Sequence, residues 1–351
     1  MVDLSEFPTT RFQGSKRKIL PWIWEHVRNI PFQTVLDAFG GTGSVSYLFK
    51  KMGKTVTYND SLHFNYLVGK ALIENNQVLL TNDDVEWLVN LHAGVKYQMF
   101  ITDNFKGMYF LDDENRWLDI VNSNIIQMKC SDLIELSYKQ SLAYYSLFQA
   151  SLMKRPFNLF HRSNLSLRTR NVVRSFGNKV TWDKSFDDLF RRFCKEANDL
   201  ILDTGNICLA TNMSVFQIDP HGYELVYLDP PYFRSVGANE TSDYFRCYHF
   251  LEGMSQYANW PNVVHSKSKI MKSNFRSDNI YEKFEQMIEK FRNNVIVLSY
   301  KRGGIPSIDF ITSVLKKLGK KVHTRSIHYS YALNHQNGDA RKNRECIILG
   351  I

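Results

Sequence analysis

The sequence predicts an α/β fold, a mostly parallel sheet interrupted by a helical insert, and three observations support this. Short apolar runs suited to strands recur at 34–38, 55–59, 206–210, 225–229, 295–299, 322–328 and 345–350. Helical patterns at 61–74, 279–292 and 306–318 alternate with them, as they must where helices cover both faces of a parallel sheet. The alternation stops between residues 77 and 205, where aromatic and then basic residues take over. Residues 1–76 and 206–351 are therefore read as one discontinuous domain and 77–205 as an insert; 351 residues suffice for two lobes. The last two strands, joined through a polar stretch at 334–343, are expected to be antiparallel.

The first strand, Val35-Leu36-Asp37-Ala38, leads through Phe39-Gly40-Gly41-Thr42-Gly43-Ser44 into a helical run beginning at Val45. Glycines in such a loop let backbone approach a ligand closely. A dinucleotide fingerprint needs another glycine three residues after Gly43, and Ser46 stands there, which disfavours a nicotinamide cofactor. The second strand, Thr55 to Asn59, ends in Asp60, about 20 residues further on, where a carboxylate commonly takes ribose hydroxyls.

The apolar run Leu225-Val226-Tyr227-Leu228 closes on Asp229-Pro230-Pro231-Tyr232. An exocyclic amino group of a nucleobase is a poor nucleophile, because its lone pair is delocalised into the ring. Asp229 offers an acceptor for its protons. Pro230 lacks an N–H and is held extended by Pro231, so its carbonyl can serve as a second acceptor. Tyr232 can stack on a base drawn out of the duplex. The polar run Phe233 to Asp243 and the aromatic run Tyr244 to Phe250 leave the carboxyl end of this strand, where they can close over such a base or simply cap the core.

Charge points to nucleic acid. Lys and Arg number 44 against 35 Asp and Glu, a formal net charge of +9. Residues 151–195 hold eleven of the basic and only three of the acidic residues, a footprint suited to phosphates. Within it, Arg155, Asn158, His161, Arg162 and Asn164 are interleaved with Phe157, Leu159 and Phe160, and Arg168 and Arg170 follow. Guanidinium and amide groups are the best bidentate readers of purines; the apolar members serve equally as core. Five scattered cysteines, with no Cys-x-x-Cys spacing and no His cluster, suggest neither disulfides nor a metal site and fit a reducing cytoplasm. No run is apolar and long enough to span a bilayer.

The glycine loop, Asp60 and the Asp-Pro-Pro-Tyr motif, in this order and preceded by Arg11-Phe12-Gln13-Gly14-Ser15-Lys16-Arg17-Lys18, resemble the Dam-type, alpha-class DNA adenine methyltransferases over most of 9–75 and 206–350. The resemblance implies a Rossmann-like class I methyltransferase sheet with an inserted, mainly helical target-recognition domain. It implies S-adenosylmethionine as cofactor, held by Phe12, Gly14, Lys16, Asp37, Ala38, Phe39, Gly41, Gly43 and Asp60. Phe12 would cover the cofactor, and Lys16 would lie near its methionine end. Asn212 stands where the family usually has an Asp that binds the cofactor's adenine. The implied substrate is double-stranded DNA and the implied reaction methylation of the adenine amino group, by a monomer acting beside a cognate restriction endonuclease or alone. Methylation of the cytosine amino group, which needs the same acceptors, and a non-catalytic DNA-binding specificity module remain open alternatives.

Overall fold

A computed structural model describes residues 2–9, 14–170, 179–233, 244–263, 274–329 and 344–351. Seven strands form one sheet: β1 (Thr34–Asp37), β2 (Thr55–Asn59), β3 (Leu209–Thr211), β4 (Leu225–Leu228), β5 (Val295–Lys301), β6 (Val322–His328) and β7 (Arg344–Gly350). Their order is β3-β2-β1-β4-β5-β7-β6. The first five run parallel, and β7 lies antiparallel between β5 and β6. β4 is buried along its whole length, as a central parallel strand covered on both faces must be.

Side chains alternate across the sheet and build a core on each face. Val35, Val56, Leu225, Tyr227, Val297 and Ile347 face one side, where they meet α1 (Leu20–Val27), α2 (Ser44–Lys51) and α3 (His63–Gly69). Leu36, Val226, Leu228, Ile296, Leu298 and Ile348 face the other and form a second, separate core.

Between β2 and β3 the chain is helical: α4 (Asn82–Val89), α5 (Phe100–Asn104), α6 (Asp112–Gln127), α7 (Leu133–Met153), α8 (Ser166–Thr169), α9 (Lys179–Asp183) and α10 (Phe186–Asp199). α7 is buried from Ser141 to Met153, packed between α3 and the apolar face of α10. This helix belongs to the same continuous core as the first face of the sheet. α11 (Tyr244–Ser255) and α12 (Trp260–Val263) follow β4, and α13 (Ile280–Lys290) and α14 (Ile308–Lys317) cover the second face.

The sequence-derived elements fall close to these positions, with informative differences. The strand expected at 206–210 begins only at Leu209, because the Cys208 thiol takes the Val56 amide (3.4 Å) before the ladder starts. The helix expected at 61–74 runs as α3 and then as a wider, π-helical turn from Lys70 to Glu74.

Candidate active site

The carboxyl ends of β1, β2 and β4 converge beside one another. Asp37 is in register with Tyr58 on one side and Tyr227 on the other, so Asp37, Asp60 and Asp229 end three adjacent strands. The chain leaves β1 toward β2 and β3 but leaves β4 in the opposite direction, toward β5. Such a switch point opens a crevice in any doubly wound sheet. Here the crevice is a cavity of about 460 Å³, bounded by Gly14 and Lys16, Asp37 to Thr42 with Ser44, Asp60 to Leu62, Asn212 to Val215, and Asp229 with Pro231.

The glycine loop is shaped by Tyr58. Its ring lies where a side chain on Gly40 would begin, with an ideal Cβ only 2.0 Å from the ring carbon Cε2, so only glycine fits. The Tyr58 hydroxyl donates toward the Gly41 (2.8 Å) and Asn65 (3.0 Å) carbonyls. Gly43 caps α2 with φ of 72°, a left-handed turn that other residues resist, and Ala38 and Phe39 line the cavity below it. Asn59 ties the floor together, donating to the Ala38 and Met213 carbonyls, both at 3.0 Å.

Three carboxylates face this space. Asp37 accepts from the Ser46 hydroxyl at 2.7 Å through Oδ2, while Oδ1 has no hydrogen-bond partner among the described residues. Burial pushes its carboxyl up to about 7, and the charges of Asp229 and Asp60 add to the effect. Asp60 is raised by burial too, although it accepts from the Gly41 amide (2.9 Å) and the Leu62 amide (2.8 Å). Its carboxylate therefore braces the glycine loop as well as lining the cavity. Asn212 donates to the Asp60 carbonyl at 2.7 Å and also lines the cavity.

Asp229 lies with 22% of its side chain open. Lys16 reaches both of its oxygens, Nζ lying 2.9 Å from Oδ1 and 2.8 Å from Oδ2. Burial raises the Asp229 carboxyl to about 6; Lys16 opposes that rise and Glu345 reinforces it. Beyond Pro230, which is buried, and Pro231, the Tyr232 ring packs edge-on to Tyr300 at 5.4 Å. Phe233 and Ile305 then exchange backbone hydrogen bonds (3.3 and 2.9 Å), clamping the motif at its far end. Phe12 and residues 234–243 lie outside the described residues.

The insert divides the basic residues into two kinds, and two of the seven expected DNA contacts need correction. Arg155, 1% exposed, donates to the carbonyls of Leu159 (3.1 Å), Tyr109 (3.2 Å), Ser163 (2.8 Å) and Arg162 (2.6 Å), and stacks on Tyr109 and Phe160. Its donors are spent on the protein's own backbone, not aimed at a base edge. Arg168 pairs both terminal nitrogens with buried Glu114 (2.8 and 2.7 Å), which also binds Lys154. One buried carboxylate, Glu114, thus holds two cations, Arg168 and Lys154, while the Arg155 charge is met by carbonyl oxygens. Arg162 and Arg170 are exposed, and Asn158, His161 and Asn164 are partly so. Phe157, Asn158 and Asn164 have positive φ (61°, 56° and 51°), so the loop bends sharply around the Arg155 guanidinium. Burial and the charges of Arg162 and Arg246 hold the His161 ring neutral-leaning, with its pKa below the usual value.

Sequence reasoning read Gly40 only as one of three loop glycines and gave no role to Asn59 or Glu345. Gly40 acts through the ring beneath it and Asn59 through the backbone beside Asp60. Glu345, 1% exposed and 3.2 Å from Lys16 Nζ, shows in the sequence only as a lone acid at the mouth of the apolar run Cys346 to Leu349.

Comparison with known proteins follows the same lines. Residues 12–296 match the family model described as D12 class N6 adenine-specific DNA methyltransferase. The chain is 30% identical to Type II methyltransferase M2.HphI of Haemophilus parahaemolyticus, covering 98% of each chain. It is 24% identical to Type II methyltransferase M.NlaIII of Neisseria lactamica over 88% of each chain. It is 27% identical to M.FokI of Planomicrobium okeanokoites, where 88% of this chain spans 47% of that longer relative.

Proposed function

The chain belongs to the D12 class of N6 adenine-specific DNA methyltransferases and methylates adenine in DNA, and on that premise we propose which residues perform the transfer and with which cofactor. The observation that carries the proposal is the place of Asp229: a proton acceptor in the wall of the same cavity that the glycine loop closes from the other side.

The cavity suits S-adenosylmethionine, whose sulfonium and ammonium groups are cationic. Asp37, Asp60 and Asp229 crowd negative charge that burial and mutual repulsion disfavour, and Asp37 Oδ1 has an unused acceptor site. A cation there relieves both costs. When bound, the cofactor supplies an electrophilic methyl group.

The chain's own residues do the rest. Asp229 and the Pro230 carbonyl accept from the two amino hydrogens of a flipped adenine, turning the nitrogen lone pair out of conjugation and toward the methyl group. Tyr232 stacks on the base, and Tyr300 supports Tyr232 edge-on. Asp229 gains most of its effect as positive charge develops on the nitrogen, so it favours the transition state over the bound substrate. Asp37, Ala38, Phe39, Gly41, Gly43, Asp60 and Asn212 hold the cofactor, with Gly14 and Lys16 closing the methionine end.

We assign the helical segment 77–205 to target recognition, with Arg162, Arg170, Asn158, His161 and Asn164 facing double-stranded DNA. Among the described residues no helix is long and apolar enough to cross a membrane. By likeness to the Type II methyltransferases, we place the enzyme in the cytoplasm as the modification partner of a restriction endonuclease. Incubation with labelled S-adenosylmethionine and unmodified DNA, followed by nucleoside analysis, tests the reading. Label in N6-methyladenine supports it, and label in methylcytosine or no transfer overturns it.

A further inference from the structure

Lys16 stands between two carboxylates, not one. Its ammonium lies 2.8 Å from Asp229 Oδ2 and 3.2 Å from Glu345 Oε1, and the Ser299 hydroxyl donates to that same Glu345 oxygen at 3.0 Å. The parts come from distant segments: Lys16 precedes the first helix, Ser299 lies on β5, and Glu345 lies on β7, paired with Lys301 in the antiparallel ladder. Glu345 does not line the cavity, so it acts on the reaction only through another residue.

We propose that Glu345 is a positioning residue for methyl transfer, which holds part of the Lys16 charge away from Asp229 and so keeps Asp229 a strong proton acceptor. The inference rests on the proposed role of Asp229. Were Lys16 paired with Asp229 alone, its full positive charge would hold that carboxylate's lone pairs and weaken it as an acceptor for the amino group. A second buried carboxylate shares the ammonium and restores that capacity. Ser299 sets how much of the Glu345 charge reaches Lys16. The charge balance at Asp229 agrees: Lys16 lowers its pKa and Glu345 raises it. Among the described residues the other titratable groups around Asp229 and Glu345 include Asp37 at the end of β1, Tyr227 on β4, Tyr329 after β6 and Lys301, the partner of Glu345 in the ladder, all of which Glu345→Gln leaves in place.

The test is the pH profile of the single-turnover transfer rate, with the enzyme saturated in S-adenosylmethionine and unmodified DNA. For Glu345→Gln the acid limb moves to lower pH by about one pH unit, and the plateau rate falls on the order of tenfold, while cofactor affinity is unchanged on the alkaline side, where Asp229 is ionised in both proteins. Glu345→Asp recovers part of the rate. Ser299→Ala, a milder change should the Gln variant fold poorly, leaves more Glu345 charge on Lys16 and moves the limb to higher pH. In a Lys16→Met background only the direct repulsion between Glu345 and Asp229 is left, so Glu345→Gln moves the limb by less than it does with Lys16 present. A limb unmoved in both the Glu345 and Ser299 variants overturns the proposal. Asp229→Ala run alongside separates the two ideas: if it keeps its rate, the role of Asp229 fails; if it is inactive and the limb stays fixed, only the relay fails.

Discussion

Arg155 donates to the carbonyl oxygen of Arg162 at 2.6 Å, so a buried arginine fixes the backbone of an exposed one. The two residues look alike in the sequence, yet one is buried and the other exposed. Arg155→Ala leaves several inward-facing carbonyls without a donor and should destabilise the fold by on the order of 3 kcal/mol. Chemical denaturation measures this, and a midpoint within error of wild type would refute the structural role.

Arg162→Ala and Arg170→Ala should leave the denaturation midpoint nearly unchanged and weaken DNA binding instead. A residue on a phosphate weakens all sequences alike and lowers the slope of log affinity against log salt by about one. A residue reading a base relaxes one position of the site at a cost of roughly 1–3 kcal/mol. Affinity titrations at several salt concentrations distinguish these outcomes. Unaltered affinity in both variants would move recognition elsewhere in the insert.

Asp60→Ala removes the acceptor of the Gly41 and Leu62 amides as well as a carboxylate in the cavity wall. Cofactor affinity should fall by about 2 kcal/mol, as for a lost charge-assisted hydrogen bond, with DNA affinity little changed. Calorimetry checks both, and intact cofactor binding would rule out this role.

Much of this was legible in the residues, and the failures share a cause. The strand ends carrying Asp37, Asp60 and Asp229 could be read because chemistry-bearing residues terminate apolar runs, a local pattern. Arg168 could not be told from Arg162 because its partner, the carboxylate of Glu114, lies some fifty residues away in the chain, and Arg155 could not because most of its partners are nearby backbone carbonyls, which leave no mark in the sequence. The requirement for Gly40 was hidden by distance too: the ring that imposes it belongs to Tyr58 on the next strand. The insert's boundary was visible as a change of pattern, but the burial of α7 in the core shared with the sheet was not.

Cofactor binding should depend on pH in a direction set by the raised carboxyls. Asp37 is held up to about 7 and Asp229 to about 6, above the unfolded value of about 3.9. The ligand-free fold therefore favours their protonated forms. That contribution to stability is fully present below the unfolded value and is lost as pH rises through 6 and 7. A cationic cofactor favours the ionised forms, so its affinity should rise over the same window and binding near pH 6 should release protons. Calorimetry in buffers of different ionisation enthalpy detects the release; proton uptake would contradict the charge argument.

The most direct test of the account is single-turnover methyl transfer by Asp229→Ala, with S-adenosylmethionine affinity measured on the same preparation. If Asp229 accepts from the adenine amino group mainly in the transition state, transfer falls on the order of 10²-fold or more while the cofactor still binds. A transfer rate within about threefold of wild type, far less than the loss of a transition-state acceptor causes, would contradict it.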